Sequence, residues 1–181
     1  MHKAFQQINF FVKDYKRLSG SKKLRMFYLW LTRASVGIFL YRIERMFYLL
    51  LGKYYQFLRL LFLPVLLPLQ AYSNLEINYH ADIGPGIIVL HPSMGIVISA
   101  YANIGDNITL TGGNVIGGKP NVRANKFCIG KNVTLGANAV ILGPVVLGNN
   151  ISIGALAMVN KDFESGCTLV GVPAKKVIKF K

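Results

Sequence analysis

The chain has 181 residues, 52% of them hydrophobic, and its 21 Lys and Arg outnumber 7 Asp and Glu for a formal net charge of +14. That length suits one domain plus an appendage, and the apolar content is above that of an ordinary soluble domain. The basic residues are interleaved with large apolar side chains and not gathered on a polar face, which argues against a nucleic-acid binder. Cys128 and Cys167 match no metal or redox spacing and read as packing residues of a reducing compartment.

The charge divides the chain near residue 74. Residues 1–74 carry six Lys and six Arg against only Asp14 and Glu44, net +10, whereas residues 75–181 carry eight Lys and one Arg against five acids. Residues 1–18 mix Lys3, Lys13, Lys16 and Arg17 with Phe5, Ile8, Phe10, Phe11 and Val12. They lack the clean apolar stretch and small-residue cleavage site of a secretory signal. Leu18-Ser-Gly-Ser21 predicts a break. From Lys23 to Phe47 the residues Leu24, Tyr28, Leu31, Val36, Leu40, Ile43 and Phe47 recur at helical spacing, with Arg25, Arg33, Arg42 and Arg45 among them. A second apolar segment, Tyr48 to Leu69, holds Lys53 and Arg59 and is expected to break at Pro64 and Pro68.

A spanning helix needs about 20 mostly apolar residues, and the longest uncharged apolar run, Leu60 to Tyr72, is shorter and holds two prolines. Residues 1–74 therefore read as a basic amphipathic helical region lying at an anionic membrane surface, basic groups toward the lipid. Helices packed on themselves or on neighbouring subunits, and a span or re-entrant hairpin, are the alternatives.

From Leu75 the composition turns to Gly, Asn, Ile and Val, and an aliphatic residue returns every sixth position. Ile77, Ile83 and Val89 open the pattern. Ile98, Ile104, Leu110 and Ile116 form one run, and Ile129, Leu135, Ile141, Leu147, Ile153 and Val159 a second. A period of six fits neither a helix nor a flat strand. It fits a chain that runs a short strand, turns a corner and repeats, stacking each inward aliphatic on the one a coil below, as in a parallel β-helix. Glycines after many of these aliphatics are expected to supply the backbone freedom the corners need. Slips in the spacing predict a bulged corner at His91-Pro-Ser-Met-Gly95 and an extruded loop, Gly117 to Phe127, with Lys119, Arg123 and Lys126. Asn160 to Cys167 reads as a polar turn before a last strand and a basic tail.

The repeats, the Leu135-Gly-Ala-Asn-Ala-Val-Ile-Leu-Gly143 stretch and the Val170-Gly-Val-Pro-Ala-Lys175 ending resemble hexapeptide-repeat acyltransferases. Residues 75–178 resemble the serine acetyltransferase branch, most of all its capsule and exopolysaccharide members of the colanic acid type. The resemblance implies a mainly β protein whose residues 75–181 form a left-handed β-helix, an exception to the usual right-handed crossover. It further implies a homotrimer with acetyl-CoA in the groove between subunits, and no metal. The branch places a catalytic His in a segment like Leu90-His-Pro-Ser-Met-Gly95 and an Asp fifteen residues earlier, which maps onto His91 and Glu76. The acid just before the His is Leu90 here, and the acceptor-binding Arg-His pair maps onto Asn125 and Lys126. Gly118, Ala137 and Ala155 match small positions along the pantetheine arm, and Lys175 and Lys176 stand where a cation would meet CoA phosphates.

Hydroxyl acetylation needs a base for the proton lost as the thioester is attacked, and a neutral imidazole serves near cytoplasmic pH. A carboxylate on the other ring nitrogen would fix its tautomer. The expected activity is O-acetyl transfer from acetyl-CoA to a sugar hydroxyl of a capsule or exopolysaccharide precursor, free or lipid-linked, at the inner face of the bacterial cytoplasmic membrane. The rivals are a serine O-acetyltransferase of cysteine synthesis and a non-catalytic or metal-binding β-helix. Three zinc-binding His are needed for the metal form, and the β-helix holds only His80 and His91.

Overall fold

The computed structural model describes residues 2–20, 28–118 and 127–177. Among the described residues three long helices, α1 (His2–Ser19), α2 (Arg33–Leu51) and α3 (Tyr55–Ser73), precede fifteen short strands. The strands are β1 (Leu75–Ile77), β2 (Asp82–Ile83), β3 (Ile88–Val89), β4 (Ile96–Ile98), β5 (Asn103–Ile104), β6 (Thr109–Leu110), β7 (Asn114–Gly118), β8 (Phe127–Ile129), β9 (Thr134–Leu135), β10 (Val140–Gly143), β11 (Val145–Leu147), β12 (Ser152–Ile153), β13 (Met158–Val159), β14 (Thr168–Val170) and β15 (Lys175–Lys176).

They wind into a left-handed parallel β-helix of about four coils with three faces. The first sheet is β1-β4-β7-β10-β13 and the second β2-β5-β8-β11. The third is β3-β6-β9-β12-β14, closed at its edge by the antiparallel β15. A regular coil takes 18 residues, as from Ile96 to Asn114. The first takes 21, from Leu75 to Ile96, because of the bulge after His91. The third takes 25, from Val115 to Val140, because of the predicted loop. Of that loop, residues 119–126 lie outside the described residues, and so do Lys119, Arg123, Asn125 and Lys126.

The hexad reading holds at every position. All thirteen aliphatics from Ile77 to Val159 named above are buried, and so are Ala102, Ile108, Val133, Ala139, Val145, Ile151 and Ala157. Each face sends its alternate residues inward, so a face contributes two inward side chains per coil, as Ile108 and Leu110 or Val145 and Leu147 do. Cys167 is buried and Cys128 half-buried, and neither is in a disulfide.

The glycines work differently from the expectation. Left-handed backbone at one corner is supplied by Asn107, Asn132 and Asn150, at φ 65°, 57° and 56°. Their side chains bond from coil to coil, Asn107 Nδ2 to Asn132 Oδ1 at 3.0 Å and Asn132 Nδ2 to Asn150 Oδ1 at 2.9 Å. Asn tolerates this region better than most residues with a Cβ. The repeat glycines instead allow close stacking: a Cβ on Gly136 would lie 2.5 Å from the Ala155 amide, and one on Gly105 2.9 Å from the Gly130 carbonyl carbon.

The helices do not trail from this solenoid; they close its first coil, which has no coil above it to pair its backbone. Arg42 donates to the Ile83 and Gly84 carbonyls at 2.7 and 2.8 Å, and to Asp14 at 2.8 Å. Asp14 in turn accepts from the Gly86 and Ile87 amides. Arg17 donates to the carbonyls of Gly86 and Ile108, and Arg45 to those of Tyr79 and His80. Tyr41 donates to the Ala81 carbonyl at 3.0 Å, and burial pushes its hydroxyl up to about 12. Capping of this kind removes the open end that solenoids must protect.

Three expectations about the helices are corrected. Arg42 and Arg45 are buried and bonded inward, so they do not face lipid. The helix starting near Lys23 is also different: α2 begins at Arg33 behind a Thr32 cap whose hydroxyl accepts from the Ser35 amide, and residues 21–27 lie outside the described residues. Pro64 and Pro68 do not break α3, which runs through both. Both prolines are exposed.

Candidate functional site

Register determines what His91 stands beside. Ile88, Thr109, Thr134 and Ser152 are paired through successive coils of the third sheet. Three residues further on, His91, Gly112, Ala137 and Ala155 therefore occupy one corner, coil after coil. Hydrogen bonds follow the same line: His91 N to the Thr111 carbonyl at 2.8 Å, Asn138 N to Gly112 at 2.8 Å, and Leu156 N to Ala137 at 2.9 Å. With strands about 4.8 Å apart, this ridge runs about 14 Å from His91 to Ala155. Lys175 and Lys176 are exposed and pair with Val170 and Leu169 where the next coil would stand. Four of the expected positions thus share one side of the solenoid with His91. Gly118 does not: it pairs with Gly143 at the far end of the first sheet, and a Cβ there would face the Phe127 ring.

The His91 corner is held from two sides. Below it lies Gly112, at φ 146°, where a Cβ would come within 2.6 Å of the His91 carbonyl oxygen. The buried Asn114 fixes that stretch: its Oδ1 accepts from Gly112 N and its Nδ2 donates to the Gly136 carbonyl at 2.7 Å. Above it, Asn74 ends α3 in the left-handed region at φ 56°. Its Nδ2 donates to the carbonyls of Pro92 and Ser93 at 3.4 and 3.1 Å. The bulge is thus a tethered arch that leaves the imidazole exposed, with the exposed Leu90 and Met94 beside it.

Glu76 lies on β1, outward and exposed. It lines an open cleft of about 240 Å³ with Gln70, Asn74, Gly95 and Val97, directly beside the arch. The carboxylate and the His91 ring make no hydrogen bond or ion pair to one another, nor to another described residue. His80 is a structural residue. It is half-buried, its Nδ1 lies 3.0 Å from Asn78 Oδ1, and its ring packs against Tyr48 and Tyr79. Burial, and then the Arg45 charge, lower its pKa from the ordinary 6.5. Among the described residues no group of three or more His, Cys, Asp or Glu is placed to hold a metal.

Sequence reasoning missed Asn74, Gly112 and Asn114 as the supports of His91, and the Asp14–Arg42 clamp altogether. One signal was present for the clamp: two acids among twelve basic residues are poor candidates for solvated surface.

Fold and site together define a hexapeptide β-helix with an exposed, tethered imidazole at one corner. Residues 129–161 match the family described as bacterial transferase hexapeptide (six repeats). Among solved structures, serine acetyltransferase of Neisseria gonorrhoeae superposes with a TM-score of 0.77 at 28% identity, over 96% of this chain and 67% of that one. The same enzyme in complex with serine gives 0.78 at 27%, over 98% and 72%. Soybean serine acetyltransferase gives 0.76 at 26%, over 97% and 72%. The superposed span includes the helices as well as the solenoid. No curated protein sequence matches the chain significantly.

Proposed function

We propose that this protein is an acetyl-CoA-dependent O-acetyltransferase, with His91 as the general base. The observation that carries the reading is the ridge: an exposed imidazole on an arch tethered by Asn74, small residues Gly112, Ala137 and Ala155 below it, and two lysines at its foot. A thioester-bearing nucleotide laid along that ridge would bring its acetyl group to His91 and its phosphates to Lys175 and Lys176. The acceptor oxygen attacks the thioester carbonyl as the imidazole takes its proton. The tetrahedral intermediate collapses, breaking the carbon–sulfur bond, and the imidazolium returns the proton to the departing thiolate. Glu76 stands beside the arch and is assigned as the carboxylate that stabilises the imidazolium.

The solved relatives favour serine as the acceptor over the capsule or exopolysaccharide sugar expected from the sequence, since all three are serine acetyltransferases. One observation favours the second reading, a sugar hydroxyl: Leu90 and Met94, both exposed beside His91, offer an apolar rim and no carboxylate for an ammonium group. Thiol release from acetyl-CoA with serine and a panel of sugars as acceptors tests both. Turnover with serine is expected, and turnover with sugars alone would select the second reading. His91→Ala should lower transfer by about 10²–10⁴-fold, the usual worth of a positioned base, and leave acetyl-CoA binding intact. Near-normal turnover by that variant would overturn the assignment.

A further inference from the structure

Apart from the β-helix they cap, the helices keep an outer face that nothing among the described residues covers. Helix α3 lies antiparallel along α2: Arg59 Nε pairs with Glu44 at 2.6 Å near one end, and the Tyr72 hydroxyl donates to the Leu31 carbonyl at 2.8 Å near the other. Only Tyr55 and Ser73 of α3 are buried, while Phe57, Leu60, Leu61 and Val65 are 59–74% exposed. An apolar groove of about 290 Å³ separates the two helices, walled by Phe47, Leu58, Phe62 and Val65 among others. Ile43 of α2 lines this groove and also a smaller cleft against α1, beside Ile8 and Phe39. The apolar surface therefore continues across all three helices.

Charge decides what this face fits. The two carboxylates of residues 1–74 are both consumed inside the cap, Asp14 by Arg42 and Glu44 by Arg59. Lys3, Lys16, Arg33 and Lys53 remain exposed, with no exposed acid among the described residues of the helices. A second copy would set this positive surface against itself, whereas anionic lipid is its complement.

We infer that the outer face of α1–α3 docks on an anionic bilayer, α3 lying in the interface with its groove open to an acyl chain. The stretch 33–73 is long and apolar enough by composition to cross a membrane. Its inner residues are nevertheless tied to the solenoid through Arg42, Arg45 and Tyr41, and α3 is tied along α2 at both ends. A crossing would break every one of those bonds; lying flat breaks none.

The test is flotation of the full chain with phosphatidylcholine vesicles, with and without phosphatidylglycerol, at low and high salt. Binding that requires phosphatidylglycerol and weakens with salt is expected. Phe57→Glu with Leu61→Glu should reduce it at least about tenfold, since two large apolar side chains leave the interface, and Lys53→Glu should weaken it further while lessening its dependence on salt. Thiol release with a soluble acceptor should be unchanged in these variants, which keeps this outcome separate from the catalytic assignment. Absence of vesicle binding by the unmutated chain would overturn the inference. So would light scattering in which Phe57→Glu with Leu61→Glu dissociates an assembly, because the face would then be a contact between copies.

Discussion

Single residues carry the cap and the arch, and their substitution should separate stability from catalysis. Asp14 and Arg42 are each 1% exposed and joined at 2.8 Å. Removing one member of a buried pair strands the other, at a cost of about 3–5 kcal/mol. Asp14→Ala also frees two amides of the first coil, so its thermal unfolding should begin well below that of the unmutated protein, with the loss visible in circular dichroism. Gly112→Ala should show its effect in catalysis as well as in the melt. At φ 146° a Cβ is strained, and the added methyl meets the His91 carbonyl oxygen and Met94, so some stability is lost and the arch shifts. A displacement of about 1 Å at a catalytic group is worth up to about 10² in rate, and kcat in the thiol-release assay should fall accordingly. Neither residue was legible in the sequence as what it is. His91 was recognised from its neighbours in the chain, but its supports come from a different coil and from the end of a helix, and Asp14 meets its partners 28 and 72 residues away.

At the scale of elements, the turn between β1 and β2 is gripped by α2 and contains a titratable group. His80 faces Arg45, Tyr48, Tyr79 and Asn78, with Asp82 beyond the Arg45 guanidinium at 3.4 Å. Its pKa is lowered in the fold, so the unfolded chain binds the proton more readily. Stability is therefore unaffected above the ordinary value of 6.5 and declines as the pH falls below it. Melting temperatures measured across that range should show the decline, and His80→Gln should flatten it; an unchanged slope would place its origin elsewhere. The strands themselves were readable because each inward position is decided locally: an aliphatic every sixth residue, with a small or β-branched residue two places before it. The helices were misread because composition does not say which arginines turn inward, or that prolines on an uncovered face leave α3 intact.

The whole molecule presents three unequal faces, and their difference predicts how copies assemble. On the third sheet the outward column reads Ile88, Thr109, Thr134, Ser152 and Thr168, mostly hydroxyls. On the second it begins Asp82, Asn103 and Cys128 before reaching Val146. On the first it reads Glu76, Val97, Val115, Val140 and Met158, an apolar ladder on the side that should face solvent. Such a face seeks a partner, and three copies joined by it would close around an axis with the apolar face of each covered. It also adjoins the His91 ridge, and Glu76 stands at its head, so a neighbour seated there would complete the walls of the site. Light scattering is expected to give a trimer. Val97→Lys with Val140→Lys should yield monomers that keep the circular dichroism of the folded chain but lose most transfer, although His91 and its supports are untouched. Full activity in such a monomer would mean that one solenoid suffices, and that the apolar ladder serves assembly alone.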